Sequence, residues 1–354
     1  MQISNSKEIY AVDDCTDLSM IMPVYNAVYT ISRSVNSFLR LAAKLLNNFD
    51  INCKLYIIDD CSDDGTTQIV SDLSQSYENI FFIRNNKNIG PGFSRNKALR
   101  LSKNGYIGFL DADDEIIVDG YIQSYIEGIN LGADWITSNG WFFGKDTKDS
   151  RYDFERLVDD TEQLSIRCLK GELDGSVIFS VYSSSLIHNN NLSFPDGYYE
   201  DISFAYEAML LSKNRYISKN FSYKKHNVNI SIVNTISEKH IKGFISAWVR
   251  VDCILQDYEL SDFQFDRLYG LYGYIANLIT SIILSDHSYH YKMNLLILLS
   301  LEIDSKVEIY KFNYNVETKK DKLVKYFLEN FSRDSDTFVS DIGFFYHHLF
   351  DQDA

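Results

Sequence analysis

A run of acidic residues, Asp111-Ala112-Asp113-Asp114, follows an apolar segment, Tyr106–Leu110, that is typical of a buried strand. Carboxylates this close together repel one another, and burying them is costly unless a cation lies among them. Mg²⁺ and Mn²⁺ take oxygen ligands, commonly one or two carboxylates together with phosphates of a substrate. The pattern therefore suits a divalent metal site, and a solvated acidic loop that caps the next helix fits these residues equally well.

A second acidic pair, Asp59-Asp60, also ends an apolar segment. A carboxylate in this position could accept the N–H of a uracil ring or contact a ribose hydroxyl. The alternative is an Asx turn or a cap for the helix that is predicted from Thr66, and the pair alone favours this alternative.

The segment Asn88–Asn96 predicts a loop that leads into a helix. Gly90 and Gly92 would allow a ligand to approach the backbone closely at the start of that helix, and Arg95 could reach a phosphate or a base edge. The third glycine of a dinucleotide-binding G-x-G-x-x-G fingerprint is absent, which disfavours a Rossmann dehydrogenase.

Glu200 and Asp201 stand just before a helical segment, Ala205–Ser212. Carboxylates there can simply cap the helix and interact with its dipole, which is the more common role. A carboxylate that faces a cleft can instead act as a general base.

These candidates require a fold that brings them together. Strand-like and helix-like segments alternate from Leu18 to Phe143, which predicts an α/β fold with a parallel sheet. Ligands of such sheets bind beyond the carboxyl ends of the strands, where Pro23–Asn26, Asp59-Asp60 and Asp111–Asp114 would lie. From His240 onward the pattern is helical, so we expect two units, residues 1–238 and a helical region at 239–354.

Composition narrows the class of protein. A net charge of −15 argues against nucleic-acid binding, which needs a basic surface. Five scattered cysteines and no signal-peptide pattern predict a protein of a reducing, cytoplasmic compartment. The longest uncharged stretch, Leu268–Ser285, contains several polar residues and is expected to be a buried helix rather than a membrane span.

Taken together, the segments resemble the family 2 glycosyltransferases, which are inverting enzymes of the GT-A fold. The order and spacing of the motifs carry the resemblance, which runs from about Leu18 to Val233. The matching residues are Met22–Asn26, Ile57–Asp60, Asn88–Gly90, Ser94–Asn96, Phe109–Asp114, Glu200-Asp201, Phe204, Tyr223–His226 and Ile230–Ile232. The segment between Gly175 and Leu186 lacks the basic residue that many relatives carry, which leaves the acceptor side open.

The resemblance implies a role for each matching position. Asp201 would be the catalytic base, with Glu200 helping to position the acceptor. Asp113, with Asp111, would bind Mn²⁺ or Mg²⁺. The nucleotide-sugar would be bound by Pro23, Val24, Tyr25, Asn26, Asp59, Asp60, Gly90, Arg95, Asp111, Ala112 and Asp113.

The implied reaction is transfer of a sugar from a UDP-sugar to a hydroxyl of a saccharide or lipid-linked saccharide, in synthesis of bacterial surface polysaccharide or lipooligosaccharide. Peripheral contact with the inner membrane and a homo-oligomer through the C-terminal helices remain open. Two other functions also remain: a sugar-nucleotide hydrolase or nucleotidyltransferase, and a binding module without catalysis.

Overall fold

The structure, a computed structural model, describes residues 15–143, 146–148, 156–157, 161–170, 176–226, 236–257, 264–307, 318–331 and 337–350. Its strands are β1 (Leu18–Val24), β2 (Cys53–Asp59), β3 (Ile80–Arg84), β4 (Tyr106–Phe109), β5 (Glu115–Ile116), β6 (Trp135–Phe143), β7 (Asp146–Lys148), β8 (Arg156–Leu157), β9 (Ser180–Ser183) and β10 (Arg215–Lys225). Its helices are α1 (Ile31–Phe49), α2 (Thr66–Ser76), α3 (Pro91–Leu99), α4 (Val118–Asn130), α5 (Thr161–Leu169), α6 (Ser184–Asn189), α7 (Glu200–Leu211), α8 (Glu238–Asp257), α9 (Gln264–Leu284), α10 (Tyr289–Lys306), α11 (Lys319–Asn330) and α12 (Phe338–Phe350).

One sheet organises the N-terminal part, in the order β3-β2-β1-β4-β9-β6-β10-β5. Strands β3, β2, β1 and β4 are parallel, as the alternating pattern predicts. Strand β9 runs antiparallel to β4 and β6, whereas β10 is parallel to β6. The predicted α/β class is therefore confirmed, with a mixed sheet in place of a mostly parallel one.

Strands β1 and β2 are almost wholly buried, as expected of central parallel strands that are covered on both faces. Helix α1 packs through an apolar stripe that includes Val35, Phe38 and Leu45. In the parallel register Val24 pairs with Asp59. The loops that follow these two strands therefore emerge side by side at the carboxyl edge of the sheet.

The helical C-terminal region packs on the sheet-bearing part through two helix pairs, α7 with α8 and α5 with α9. The stretch Leu268–Ser285 lies mainly in α9, whose Leu271, Ile275 and Ile279 are buried, so the prediction of a buried helix is confirmed. Within the described ranges, no helix is long and apolar enough to cross a membrane.

Candidate active site

The acidic turn after β4 presents alternate side chains to the surface. The N–H of Asp114 donates to the carbonyl of Asp111 at 3.2 Å and closes the turn. Ala112 and Asp114 are buried, whereas Asp111 and Asp113 are partly exposed. The phenol oxygen of Tyr223, on β10, accepts the N–H of Asp111 at 3.0 Å. The fold therefore aims two carboxylates into the space beyond the carboxyl ends of β1 and β4.

Helix α1 holds the same turn from its other side. The Ser34 hydroxyl donates to the carbonyl of Asp114 at 2.7 Å, and the Arg33 guanidinium donates to the carbonyl of Asp113. Sequence reasoning missed both contacts, because a polar residue on a helix gives no sign of which distant backbone it meets.

The carboxylates of this turn destabilise one another. Burial, with Asp111 nearby, raises the pKa of Asp113 to about 6. Burial, with Asp111 and Asp113 nearby, raises the pKa of Asp114 to about 8. A bound dication would relieve this repulsion, so the donor set of Asp111 and Asp113 fits Mg²⁺ or Mn²⁺. In the described part of the chain, no group of three or more His, Cys, Asp or Glu side chains could hold a metal ion.

Arg95, on α3, joins the acidic turn to the second acidic pair. One terminal nitrogen lies 3.0 Å from Asp111 Oδ1, and the other lies 2.5 Å from Glu200 Oε1. The guanidinium also lies 5.4 Å from the centre of the Phe194 ring. Arg95 is therefore bound by two carboxylates of the chain itself, and its predicted contact with a base or a diphosphate stays a prediction. The sequence did not reveal the pairing with Glu200, because the two residues are far apart in the chain.

The second acidic pair opens α7. Glu200 is buried and paired with Arg95, whereas Asp201 is partly exposed. Burial, reinforced by the neighbouring Glu200, raises the pKa of Asp201 to about 7, although Arg95 opposes the rise. A general base works best when its pKa lies near the operating pH, so the environment of Asp201 suits that role.

Hydrogen bonds join the loops that follow β1 and β2. The N–H of Asn26 donates to the Ser62 hydroxyl at 3.0 Å, and the N–H of Asp63 donates to Asn26 Oδ1 at 3.0 Å. Asn26 takes the left-handed conformation, with φ of 50°, which Asn tolerates better than most residues. The Tyr25 side chain is half exposed beside these hydrogen bonds. Pro23 is partly exposed and Val24 is buried.

Asp60 binds the loop that precedes α3. Its carboxylate accepts the N–H of Ile89 at 2.9 Å, the N–H of Gly90 at 2.7 Å and the side-chain amide of Asn85 at 2.7 Å. The Asp60 backbone N–H in turn donates to the carbonyl of Val24 at 2.7 Å. Asp60 therefore fixes the β1 and α3 loops at one edge of the site, a contact that the sequence did not reveal.

Asp59 is fully buried and serves the β2 loop. Its carboxylate accepts the N–H of Ser62 at 2.9 Å and the hydroxyl of Thr67 at 2.6 Å, and it lies 3.4 Å from Arg84 Nε. Asp59 has no exposed surface, and its carboxylate is engaged within the β2 loop. The nucleotide-binding role of Asp59 stays a prediction.

Gly92 permits a close approach of another part of the chain. A Cβ placed on Gly92 would lie 2.7 Å from Glu200 Cγ and 3.1 Å from the carbonyl oxygen of Pro195. Gly90 takes a φ of 86° just before Pro91, the first residue of α3. The missing side chain of Gly92 lets the N-terminal end of α3 pack directly on that of α7, which brings Arg95 to Glu200.

Strand β10 brings basic side chains to the same site. The N–H of His226 donates to Asp114 Oδ1 at 2.9 Å, and the imidazole lies 2.8 Å from Glu115 Oε2. Lys225 acts electrostatically on both Asp113 and Asp201. The Tyr223–His226 motif of the sequence resemblance thus lies at the acidic turn, while its companion at 230–232 falls outside the described residues.

The fold and the paired carboxylates define the class, an α/β protein with an acidic site at the carboxyl edge of its sheet. Residues 19–187 match the family described as Glycosyl transferase family 2. This range contains the acidic turn and Arg95 and ends before Glu200. The resemblance to the family 2 glycosyltransferases is thereby confirmed over this range.

Bacterial glucosyltransferases are similar in sequence to this chain. The chain is 27% identical over 283 residues to UDP-Glc:alpha-D-GlcNAc-diphosphoundecaprenol beta-1,3-glucosyltransferase WfgD of Escherichia coli, covering 78% of this chain and 96% of that protein. It is 24% identical over 206 residues to GalNAc(5)-diNAcBac-PP-undecaprenol beta-1,3-glucosyltransferase of Campylobacter jejuni, covering 58% and 63%. It is 26% identical to Poly(ribitol-phosphate) beta-glucosyltransferase of Bacillus spizizenii, covering 58% and 31%. The chain spans less than two thirds of the length of the last two relatives.

Solved structures of S. aureus TarS share the architecture. TarS 1–349 in complex with UDP-GlcNAc aligns with a TM-score of 0.56 at 18% identity, covering 94% of this chain and 90% of that one. The complex with UDP aligns with a TM-score of 0.52, covering 87% and 91%. At this identity the likeness concerns the fold alone, and it confirms the predicted GT-A fold with a helical C-terminal region.

Proposed function

We propose that this protein is an inverting glycosyltransferase that moves a sugar from a UDP-sugar to an acceptor hydroxyl. One observation carries the proposal: Arg95 bridges Asp111 and Glu200, the neighbours of the donor-side Asp113 and of Asp201. The bridge joins two parts of the site. On one side lie Asp111 and Asp113, a carboxylate pair that suits a metal and a diphosphate. On the other side lies Asp201, whose carboxylate suits a proton acceptor. The donor site and the acceptor site would then lie on either side of the buried Arg95 guanidinium.

The donor would lie against the acidic turn and the loops after β1, β2 and β3. Asp111 and Asp113 would hold Mn²⁺ or Mg²⁺ together with the donor's phosphates. When bound there, the cation supplies Lewis-acid stabilisation of the charge that develops on the departing diphosphate. The loops, with Tyr25 exposed at their edge and Gly90 at the start of α3, would receive the uridine. Support for UDP comes from the UDP-Glc in the name of WfgD and from the TarS complexes.

Asp201 would act as general base. Its carboxylate takes the proton of the acceptor hydroxyl as that oxygen bonds to the anomeric carbon, and the bond from that carbon to the diphosphate oxygen breaks. Glu200, held by Arg95, keeps its place beside the base and orients the acceptor. A direct displacement inverts the anomeric centre. The name of WfgD supports inversion, because glucose is α-linked in UDP-glucose and WfgD makes a β linkage.

The acceptor would be a saccharide or a lipid-linked saccharide, and the product a bacterial surface polysaccharide or lipooligosaccharide. Diphosphoundecaprenol in the names of WfgD and of the Campylobacter jejuni relative supports a lipid-linked acceptor. We assign catalysis to residues 1–238, with residues 239–354 packed against them, and we place the enzyme in the cytoplasm.

Transfer by the purified full chain tests the proposal. The probes are UDP-glucose and UDP-GlcNAc with Mn²⁺, and the acceptor is a synthetic GlcNAc-diphosphate lipid. Asp201→Asn should abolish transfer and leave UDP binding intact. Glu207→Gln, an acid-to-amide change on the same helix, should retain near wild-type transfer. The configuration of the new linkage, read by NMR coupling constants, tests inversion.

Three results would contradict the proposal. Release of UDP without a glycosylated product would indicate a hydrolase. Binding of UDP-sugars without turnover would indicate a binding module. Near wild-type transfer by Asp201→Asn would remove the base assignment.

A further inference from the structure

The turn that begins α7 takes a conformation that needs outside support. Tyr199, the residue before Glu200, has φ of 61° and ψ of 32°. A bulky side chain rarely adopts this left-handed region, and such strain persists only where surrounding contacts enforce it. Because Asp201 lies on the first turn of α7, the contacts that hold Tyr199 also set the position of the proposed base.

These contacts come from α8, the first helix of the C-terminal region. The rings of Tyr199 and Phe244 have centroids 3.5 Å apart, and the Tyr198 ring meets His240 edge-on at 5.0 Å. Burial, with Asp201 nearby, raises the pKa of the Tyr199 hydroxyl.

Gly243 lets α8 touch the backbone of the turn. A Cβ on Gly243 would lie 2.8 Å from both the Cβ and the carbonyl oxygen of Tyr198. Real Cβ atoms do not approach other atoms so closely, so any side chain there must displace either the helix or the turn. Phe244 is in turn supported by Tyr274 of α9, with ring centroids 5.5 Å apart.

The geometry points to Gly243 and Phe244 as positioning residues for the general base. The inference rests on the proposed function, in which Asp201 accepts the acceptor proton. The C-terminal helices then complete the acceptor half of the active site by fixing the start of α7. The donor half is formed by the acidic turn and the loops after β1 and β2, so its carboxylates lie on elements other than α7.

Gly243→Ala tests the inference in the full chain, with Gly273→Ala as its control. Gly273 also lies inside a C-terminal helix, and a Cβ there would meet no atom within 4 Å. A displacement of about 1 Å in a reacting group can lower a rate about 100-fold. We therefore expect Gly243→Ala to lower kcat about 10- to 100-fold. The KM for UDP-glucose should stay within about twofold of wild type, since uniform donor binding is untouched. Gly273→Ala should leave both constants near wild type.

A second pair of variants distinguishes a local effect on the base from general destabilisation of the fold. Phe244→Leu removes the ring that supports Tyr199, whereas Phe345→Leu removes a ring stacked on Tyr326 at 4.2 Å elsewhere in the C-terminal region. Only Phe244→Leu should lower kcat at unchanged donor KM. If both variants lower kcat equally, the effect is general destabilisation and the inference fails.

Amide hydrogen exchange separates this inference from the proposed function. Peptides covering residues 195–211 should exchange faster in Gly243→Ala than in wild type, while peptides of β1 and β4 should not change. If wild type shows no transfer but this exchange pattern holds, the proposed function fails and the support of the turn stands. If wild type transfers sugar and Gly243→Ala retains its kcat and its exchange pattern, the inference is overturned.

Discussion

Replacing Arg95 with Met removes the charge that bridges the two acidic clusters while keeping an apolar side chain of similar length. The side chains of Arg95 and Glu200 are each only 7% exposed. Removing one partner of a buried ion pair leaves an uncompensated charge and costs about 3–5 kcal/mol. We expect Arg95→Met to lower the free energy of unfolding by that amount at neutral pH.

The loss should depend on pH in a defined direction. Arg95 opposes the rise in the pKa of Asp201, which is already about 7. Without the guanidinium the pKa of Asp201 rises further, because opposite charge nearby favours the ionised form. A carboxylate with a raised pKa in the folded state stabilises the protein below its unfolded pKa, and this contribution is lost as pH rises through the folded value. Arg95→Met should therefore be more damaging at about pH 8 than at about pH 5.5.

Urea unfolding followed by tryptophan fluorescence measures both effects. Arg40→Met is the control, because Arg40 is 60% exposed and lies 3.8 Å from Glu115. Loss of that surface pair should cost no more than about 1 kcal/mol. Adding Glu200→Gln to Arg95→Met should recover part of the stability, since it removes the stranded charge. An unfolding free energy for Arg95→Met within about 1 kcal/mol of wild type at pH 8 would refute the bridging role.

Three further predictions concern the base, the contact between α3 and α7, and the metal. With Asp201 as base, transfer should rise about tenfold per pH unit below pH 7 and level off above it; a rate independent of pH would contradict the role. Gly92→Ala should destabilise the fold by about 1–3 kcal/mol in urea unfolding, because its Cβ would lie 2.7 Å from Glu200 Cγ; an unchanged midpoint would contradict the packing. UDP at about 100 times its dissociation constant should add about 2.7 kcal/mol of stability in thermal unfolding with Mn²⁺ and much less with EDTA. Asp113→Asn should remove that difference, and its persistence would exclude Asp113 as a ligand.

Hydrophobic pattern alone was enough to predict the first half of the fold. The apolar runs at Leu18–Val24 and Cys53–Asp59 are buried on both faces. A nearly continuous apolar run is typical of such a central parallel strand, so burial could be predicted from composition. Because the carboxyl ends of parallel strands lie at one edge of a sheet, the positions of the polar clusters at the strand ends could also be predicted. The resemblance to family 2 rested on these same segments.

The later strands could not be predicted in the same way. Strand β9 has only four residues, and β10, RYISKNFSYKK, is rich in polar side chains. Strand β9 pairs with β4, and β10 pairs with β6, and each of these partners lies about 70 or more residues earlier in the chain. No local periodicity carries such long-range information. The bridge from Arg95 to Glu200 is hidden for the same reason, and so is the support of Tyr199 by Phe244.

The acidic site carries more negative charge than its own cations offset. Asp111, Glu200 and Asp201 act on Arg95, and Asp113 lies near Asp111, where Arg33 and Lys225 act on it. With the pKa of Asp113 raised to about 6 and that of Asp201 to about 7, the stability that both groups give at low pH is lost by neutral pH. A fold selected for stability alone would replace such groups with apolar ones. Their presence at the carboxyl edge of the sheet is explained if the cluster is completed by a cation and used for proton transfer.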